Sequence, residues 1–273
     1  MSKLAEKVQQ DLVEAINNDD LVLPTLPEVA LQIRKAAENP EVSVSTLSKV
    51  IGRDTALSAR LIKVVNSPLL RAAQEVTDLH TAITRLGINY SCNLAIGLVM
   101  EQIFHARSDV VEQKMRDVWR KSLEIAGVSY ALCRRYTRLK PDQAALGGLV
   151  HQIGVLPILT YAEDHYELLS DPVSLNHVID RIHPLIGEKL LKVWDFPDML
   201  VQVPRLYLNF KRQSAQVDYV DLVQVASLYC LQETDHPLAR ADALIVPAYK
   251  ALGIDFDDKA MCADLEETRT MFY

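Results

Sequence analysis

Residues 23–68 read LPTLPEVALQIRKAAENPEVSVSTLSKVIGRDTALSARLIKVVNSP, and their punctuation decides the fold class. Thr25-Leu26-Pro27-Glu28 has capping-box spacing with proline in the first turn, and Val29, Ile33 and Ala37 then recur at helical spacing until Asn39-Pro40. Leu47, Val50 and Ile51 predict the next helix. Asp54 is placed to cap another that carries Leu57, Leu61, Val64 and Val65 and stops at Asn66-Ser67-Pro68. Three short helices, two of them with explicit stops, leave no room for strands here.

The same reading extends in both directions. Upstream, Leu4, Val8, Leu12 and Ile16 share one face of a leading helix. Downstream, a helix from about Asp78 points Leu79, Ile83 and Leu86 inward and ends at Gly87, and Leu94, Leu98, Val99 and Ile103 follow on another. Beyond Asp109 a long helix carries Val118, Leu123, Ala126 and Leu132. A turn at Lys140-Pro141-Asp142 leads into an apolar helix containing His151, and further helices are expected near residues 174–194, 197–208 and 217–232. Period-two alternation is not sustained anywhere, so the expectation is an all-α protein of about a dozen helices. Residues 1–20 form the leading helix, 21–108 a first helical lobe, 109–235 a second, and 236–273 a C-terminal helix with an acidic tail. The charge-mixed residues 106–113 mark the boundary between the lobes, and the tail after Gly253 is expected to be loosely held.

Composition bounds the function. A chain of 273 residues that is 49% hydrophobic and 24% charged can bury a substantial core. Its net charge of −7 disfavours a nucleic-acid partner. Cys92, Cys133, Cys230 and Cys262 are widely spaced with no secretory signal ahead of them, so they read as reduced thiols in a cytoplasmic protein. The most membrane-like stretch, residues 144–162, is interrupted by Gly147, Gly148, His151, Gln152, Gly154 and Pro157, which argues against membrane insertion.

The run 23–68, followed by AITRLG at 82–87, resembles the N-terminal half of the HDOD family. The doubled Leu-Pro, the Asp-led helix ending in Asn-Ser and the Ala-Ile-x-x-Leu-Gly segment occur in the family's order and spacing. Similarity continues through WRKSLEIAGVSYAL (119–132), LGGLVHQIGVLPIL (146–159) and HPLIGEKLLKVWDFP (183–197). The resemblance implies a multi-helix fold in which the N-terminal lobe packs on a second lobe similar to the HD metal-dependent phosphohydrolases. In those enzymes a His, an adjacent His-Asp pair and a distant Asp hold metal.

Carried onto this chain by that resemblance, the first His position is Lys121, the pair is His151 followed by Gln152, and the closing Asp position is Ser227. Val155 stands where active relatives often carry Lys. His183 matches a His kept in many relatives, and a second His found after the next helix is replaced by Leu208-Asn209. A cation at Lys121 and an amide at Gln152 suit a divalent metal poorly. No catalytic residue, metal ligand or cofactor is therefore assigned.

His151 and His183 are expected to be hydrogen-bonded interior residues, with His183 preceding Pro184 at a helix start. Trp119 and Trp194 are expected in the core. Arg134, Arg135, Arg138 and Lys140 read as a solvated helix end, with a basic patch for nucleotide phosphates or an acidic partner as the alternative, Asn66-Ser67-Pro68 reads as a helix stop, and His80, His105, His165, His177 and His236 receive no role. The resemblance implies a non-catalytic module of bacterial signal transduction with signalling proteins as partners and a nucleotide ligand left open. The alternatives are a metal-dependent phosphohydrolase acting on a nucleotide and a DNA binder using the helix-Gly-helix at residues 82–95, where Arg85 is the cation near the turn.

Overall fold

The computed structural model describes residues 3–18, 20–70, 74–231, 246–254 and 259–272. Among the described residues there are fifteen α-helices, one short 3₁₀ helix at Met100–Ile103, and no strand. The fold class is all-α, as the periodicity predicts, with more and shorter helices than expected.

The first half holds α1 (Lys3–Asn17), α2 (Glu28–Ala37), α3 (Val44–Ile51), α4 (Thr55–Val65), α5 (Leu79–Leu86) and α6 (Ile88–Val99). The Asp54 carboxylate accepts from the Leu57 N–H at 2.9 Å, and Asp78 caps α5 through the Thr81 N–H at 2.8 Å. The capping box at Thr25 does not form. Helix α2 begins at Glu28 behind an extended Pro27 that offers no side-chain cap, and Glu28 instead accepts from Gln32. Gly87 (φ 84°) turns the chain from α5 into α6, a conformation that a Cβ disfavours. Eight of the twelve residues of α6 are buried, so it is a central core helix and presents little surface for reading a DNA groove.

The second half is organised on α7 (Asp109–Tyr136), which pairs with α8 (Pro141–Val150) as a helical hairpin. Gly148 makes that contact intimate, because a Cβ there would lie 2.6 Å from the Ala126 Cα. Then come α9 (Val155–Glu163), α10 (Tyr166–Leu169), α11 (Pro172–Val193), α12 (Asp198–Leu206) and α13 (Tyr219–Leu231). The apolar stretch at 141–163 is thus broken at residues 151–154, and 83% of its most apolar window is buried inside the protein. Trp119 and Trp194 are both in the core.

The chain ends in α14 (Pro247–Leu252) and α15 (Lys259–Arg269), two helices where one was expected. Helix α15 packs on α7, where Gly127 is the cradle: a Cβ there would lie 1.9 Å from the Thr268 carbonyl oxygen. Met261, Leu265, Met271 and Phe272 are buried, and their stripe was hidden among acidic neighbours. The boundary at 235/236, Gln232 and His236 lie outside the described residues.

The halves are joined by α6 on α8 and by α1 on α11. A polar clasp adds to this: the Trp194 indole donates to the Pro24 carbonyl at 3.1 Å, and Arg34 donates to the Trp194 carbonyl.

Candidate functional site

His151 ends α8. Its Nδ1 lies 2.6 Å from the Gly148 carbonyl, which can only accept, so Nδ1 carries the proton and Nε2 keeps a lone pair. That Nε2 is buried with no partner among the described residues. His183 sits in the middle of α11 and not at a helix start. Pro184 is an interior proline that removes the N–H due to Asp180, and the remaining ladder carries the helix through to Val193. His183 Nδ1 donates to the Ile179 carbonyl at 2.7 Å, which fixes the same tautomer.

The lone pair of His183 is already taken. Tyr207, at the end of α12, donates its hydroxyl to His183 Nε2 at 2.9 Å, and Gln152 Nε2 donates toward the same oxygen at 3.4 Å. The Tyr207 ring stands edge-on to His151 with centroids 4.9 Å apart and to His183 with centroids 5.8 Å apart. Gln224 of α13 locks the segment from behind by donating to the Tyr207 carbonyl at 3.1 Å.

Burial sets the protonation. It depresses His151 to about 3, opposed by the Gly148 carbonyl and assisted by His183, and depresses His183 to about 4 against the Ile179 carbonyl. Burial pushes the Tyr207 phenol far above its usual range. At neutral pH the cluster therefore consists of two neutral imidazoles and a neutral phenol.

The structure brings together His151, Gln152 and His183 but not the other two expected positions. Lys121 is exposed. The buried stripe of α7 runs Met115, Trp119, Ser122, Ala126, and Lys121 lies one residue off it, so the buried residue is Ser122. Ser227 is buried, yet its hydroxyl donates to the Val223 carbonyl of its own helix at 2.7 Å, and Gln224 one turn earlier is the side chain that reaches Tyr207. Tyr207 is the residue missed from sequence. Its position on the apolar face Leu200, Val203, Tyr207 was the available signal.

A metal of the HD type does not fit these residues. Among the described residues no three His, Cys, Asp or Glu side chains converge. One of the two imidazole lone pairs is bonded to a neutral phenol, and the neighbouring amide is a poor ligand for a hard cation.

Fold and site together define an all-helical HD-like domain whose imidazole pair is closed by a tyrosine. A family model described as the HDOD domain matches residues 23–207, and the chain belongs to that family. A crystal structure from Shewanella amazonensis SB2B, named as a candidate metal-dependent phosphohydrolase, is similar at 29% identity, covers 98% of this chain and 99% of that one, and has a TM-score of 0.86. An HDOD domain protein with unknown function from Geobacter sulfurreducens shares the fold at 20% identity, over 97% of each chain, with a TM-score of 0.68. An uncharacterised protein of Treponema pallidum (strain Nichols) is 26% identical over 219 residues, 75% of this chain, and the match spans 41% of that relative's length.

Proposed function

We propose that this chain is a cytoplasmic signal-transduction module that acts by binding protein partners and not by metal-dependent hydrolysis. One observation carries the reading: the Tyr207 hydroxyl occupies His183 Nε2, in a cluster whose burial keeps every member neutral. A hydrolytic metal needs several charged or imidazole ligands and an open position for water. Here one donor is occupied and the carboxylate is replaced by Gln152. The partners are signalling proteins, and the surface of residues 21–108 is assigned to them because it holds the most specific family motifs and none of the imidazole cluster.

The opposing reading, a phosphohydrolase, draws on the name given to the Shewanella protein. Metal titration of the chelator-stripped protein with Mn(II), Fe(II) and Zn(II), beside hydrolysis assays on cyclic dinucleotides, separates the two. Neither stoichiometric binding nor turnover is expected. Stoichiometric metal together with turnover abolished by His151→Ala would overturn the proposal.

Tyr207→Phe tests the closure itself. It removes the hydroxyl and leaves two buried lone-pair acceptors where there was one, so stability should fall by about 1–3 kcal/mol in urea denaturation while the far-UV spectrum is retained. Unchanged stability would show that the phenol–imidazole bond does not form in solution.

A further inference from the structure

Away from the imidazole cluster, the cavity richest in unused chemistry lies between the two halves. It is a cleft of about 270 Å³ where α2 and α6 face α8 and the turn between α11 and α12. Its walls are apolar on one side, with Cys92, Ile96, Leu146 and the ring of Phe196. Burial raises the Cys92 thiol to about 11, so that wall is uncharged at neutral pH. The other side carries Arg34 and Asn93, and Glu38 and Asp195 stand exposed at the rim.

Arg34 is half-buried, and one of its N–H groups goes to the Trp194 carbonyl. Its guanidinium stacks over Phe196 at 5.1 Å from the ring centre. Its other donors meet no acceptor among the described residues. A structural arginine in this protein looks different: Arg212 is held by Asp221 at 2.7 Å and also by Asp218. Burial lowers the Arg34 pKa, and the fields of Asp195 and Glu38 oppose it, yet neither carboxylate is within salt-bridging reach. A half-buried cation therefore faces the cleft without a direct ion pair, with Asp195 and Glu38 acting on it from a distance. Asn93 adds an acceptor, because its amide nitrogen is committed to Asp142 at 2.5 Å and its oxygen is left over. Asp195 also holds a left-handed backbone (φ 54°) that most residues avoid.

We propose that this cleft binds a free α-amino acid with an apolar side chain, carboxylate on Arg34, ammonium toward Glu38, Asp195 and the Asn93 oxygen, and side chain between Ile96 and Phe196. The charge pattern selects that class. A guanidinium takes a carboxylate in a two-pronged bond, two unpaired carboxylates and an amide oxygen suit an ammonium, and the side formed by Cys92, Ile96, Leu146 and Phe196 carries no charge. Arg34, Asn93 and Ile96 come from the first half and Leu146, Asp195 and Phe196 from the second, so the ligand also ties the halves together. Bound ligand raises stability by mass action, and it gives the module an input that does not depend on the imidazole cluster. The inference stands whether or not that cluster is catalytic.

The test is calorimetry and thermal shift on the full chain with L-leucine and L-phenylalanine. L-serine, 4-methylpentanoate and 3-methylbutylamine serve as probes lacking the apolar group, the amine and the carboxylate. Saturable binding of leucine or phenylalanine is expected, with each probe at least about tenfold weaker. Arg34→Ala should weaken binding by about tenfold or more. Because Arg34 also holds Trp194, Ile96→Trp provides a second arm: it fills the cleft, leaves Arg34 untouched and should abolish binding. Absence of saturable heat from any of the common amino acids at about 10 mM would overturn the proposal, as would binding that survives both variants. Equal affinity for 4-methylpentanoate would overturn the role given to Glu38 and Asp195.

Discussion

Gly154→Ala is expected to destabilise the protein by about 3 kcal/mol or more, lowering Tm by about 6–12 °C for a chain of this size. A Cβ at Gly154 would sit 2.1 Å from the His183 carbonyl oxygen and 2.5 Å from the Gly187 nitrogen. Both are backbone atoms of α11, so no rotamer change can relieve the clash. Gly187 in turn meets Pro204 of α12, where its own Cβ would lie 2.7 Å from the proline Cβ. The turn before α9, the middle of α11 and the end of α12 are thus stacked nearly backbone to backbone. That closeness is what brings His151, His183 and Tyr207 within reach of one another. Gly147→Ala is the matched control. Its Cβ would stand 3.4 Å from Leu200 and 3.5 Å from Val223, ordinary contact distances inside a helix. Stability should hold or rise by up to about 1 kcal/mol there. Urea denaturation of the two variants side by side checks both, and a Gly154→Ala protein as stable as the parent would mean that α9 does not pack on α11 this closely.

How far the sequence could be read depended on whether the deciding interaction was local. Asp54 and Asp78 lie three residues before the N–H groups they cap, so α4 and α5 were bounded correctly. The capping-box spacing at Thr25 does not produce a cap because the extended Pro27 moves the helix start past it. Pro184 suggested a first turn, but long-range packing of α11 on α9 and α12 holds the helix through the proline. Lys121 shows how unforgiving helical register is. A shift of one residue turns a side chain by about 100° and exchanges the buried Ser122 for an exposed cation. Tyr207 has no motif of its own, and the Arg34 cleft draws on residues from position 34 to position 197. Neither is a pattern in any short window. The Tyr207 cluster arises when α8, α11, α12 and α13 of the second half pack together, and the cleft only when the two halves do.

Acid should unfold this protein well above the range in which its carboxylates titrate. His151 and His183 are held at about 3 and about 4 by burial, whereas in the unfolded chain each titrates near 6.5. Below that value the unfolded state binds protons that the folded state refuses. Stability is therefore fully present above about pH 6.5 and falls as the pH drops toward 4. Each histidine contributes a slope of about 1.4 kcal/mol per pH unit, and the pair about 2.7, against a total of about 5–15 kcal/mol for an ordinary domain. Carboxylates act later. Glu112, held down to about 2 by the Ala106 N–H, Arg116 and His105, becomes a destabilising group only below its ordinary range. The interval between about pH 6 and 5 belongs to the imidazoles. Urea denaturation at pH 8, 7, 6 and 5 should show little change across the first step and a loss of about 2–3 kcal/mol across the last. His151→Leu, which removes one of the two groups, should roughly halve that final slope whatever it does to the stability at pH 8. A stability that stays level from pH 7 to 5 would mean that the imidazoles accept protons in the folded state. The Tyr207 hydroxyl could not then donate to His183, and the closed site from which the binding function is argued would not exist.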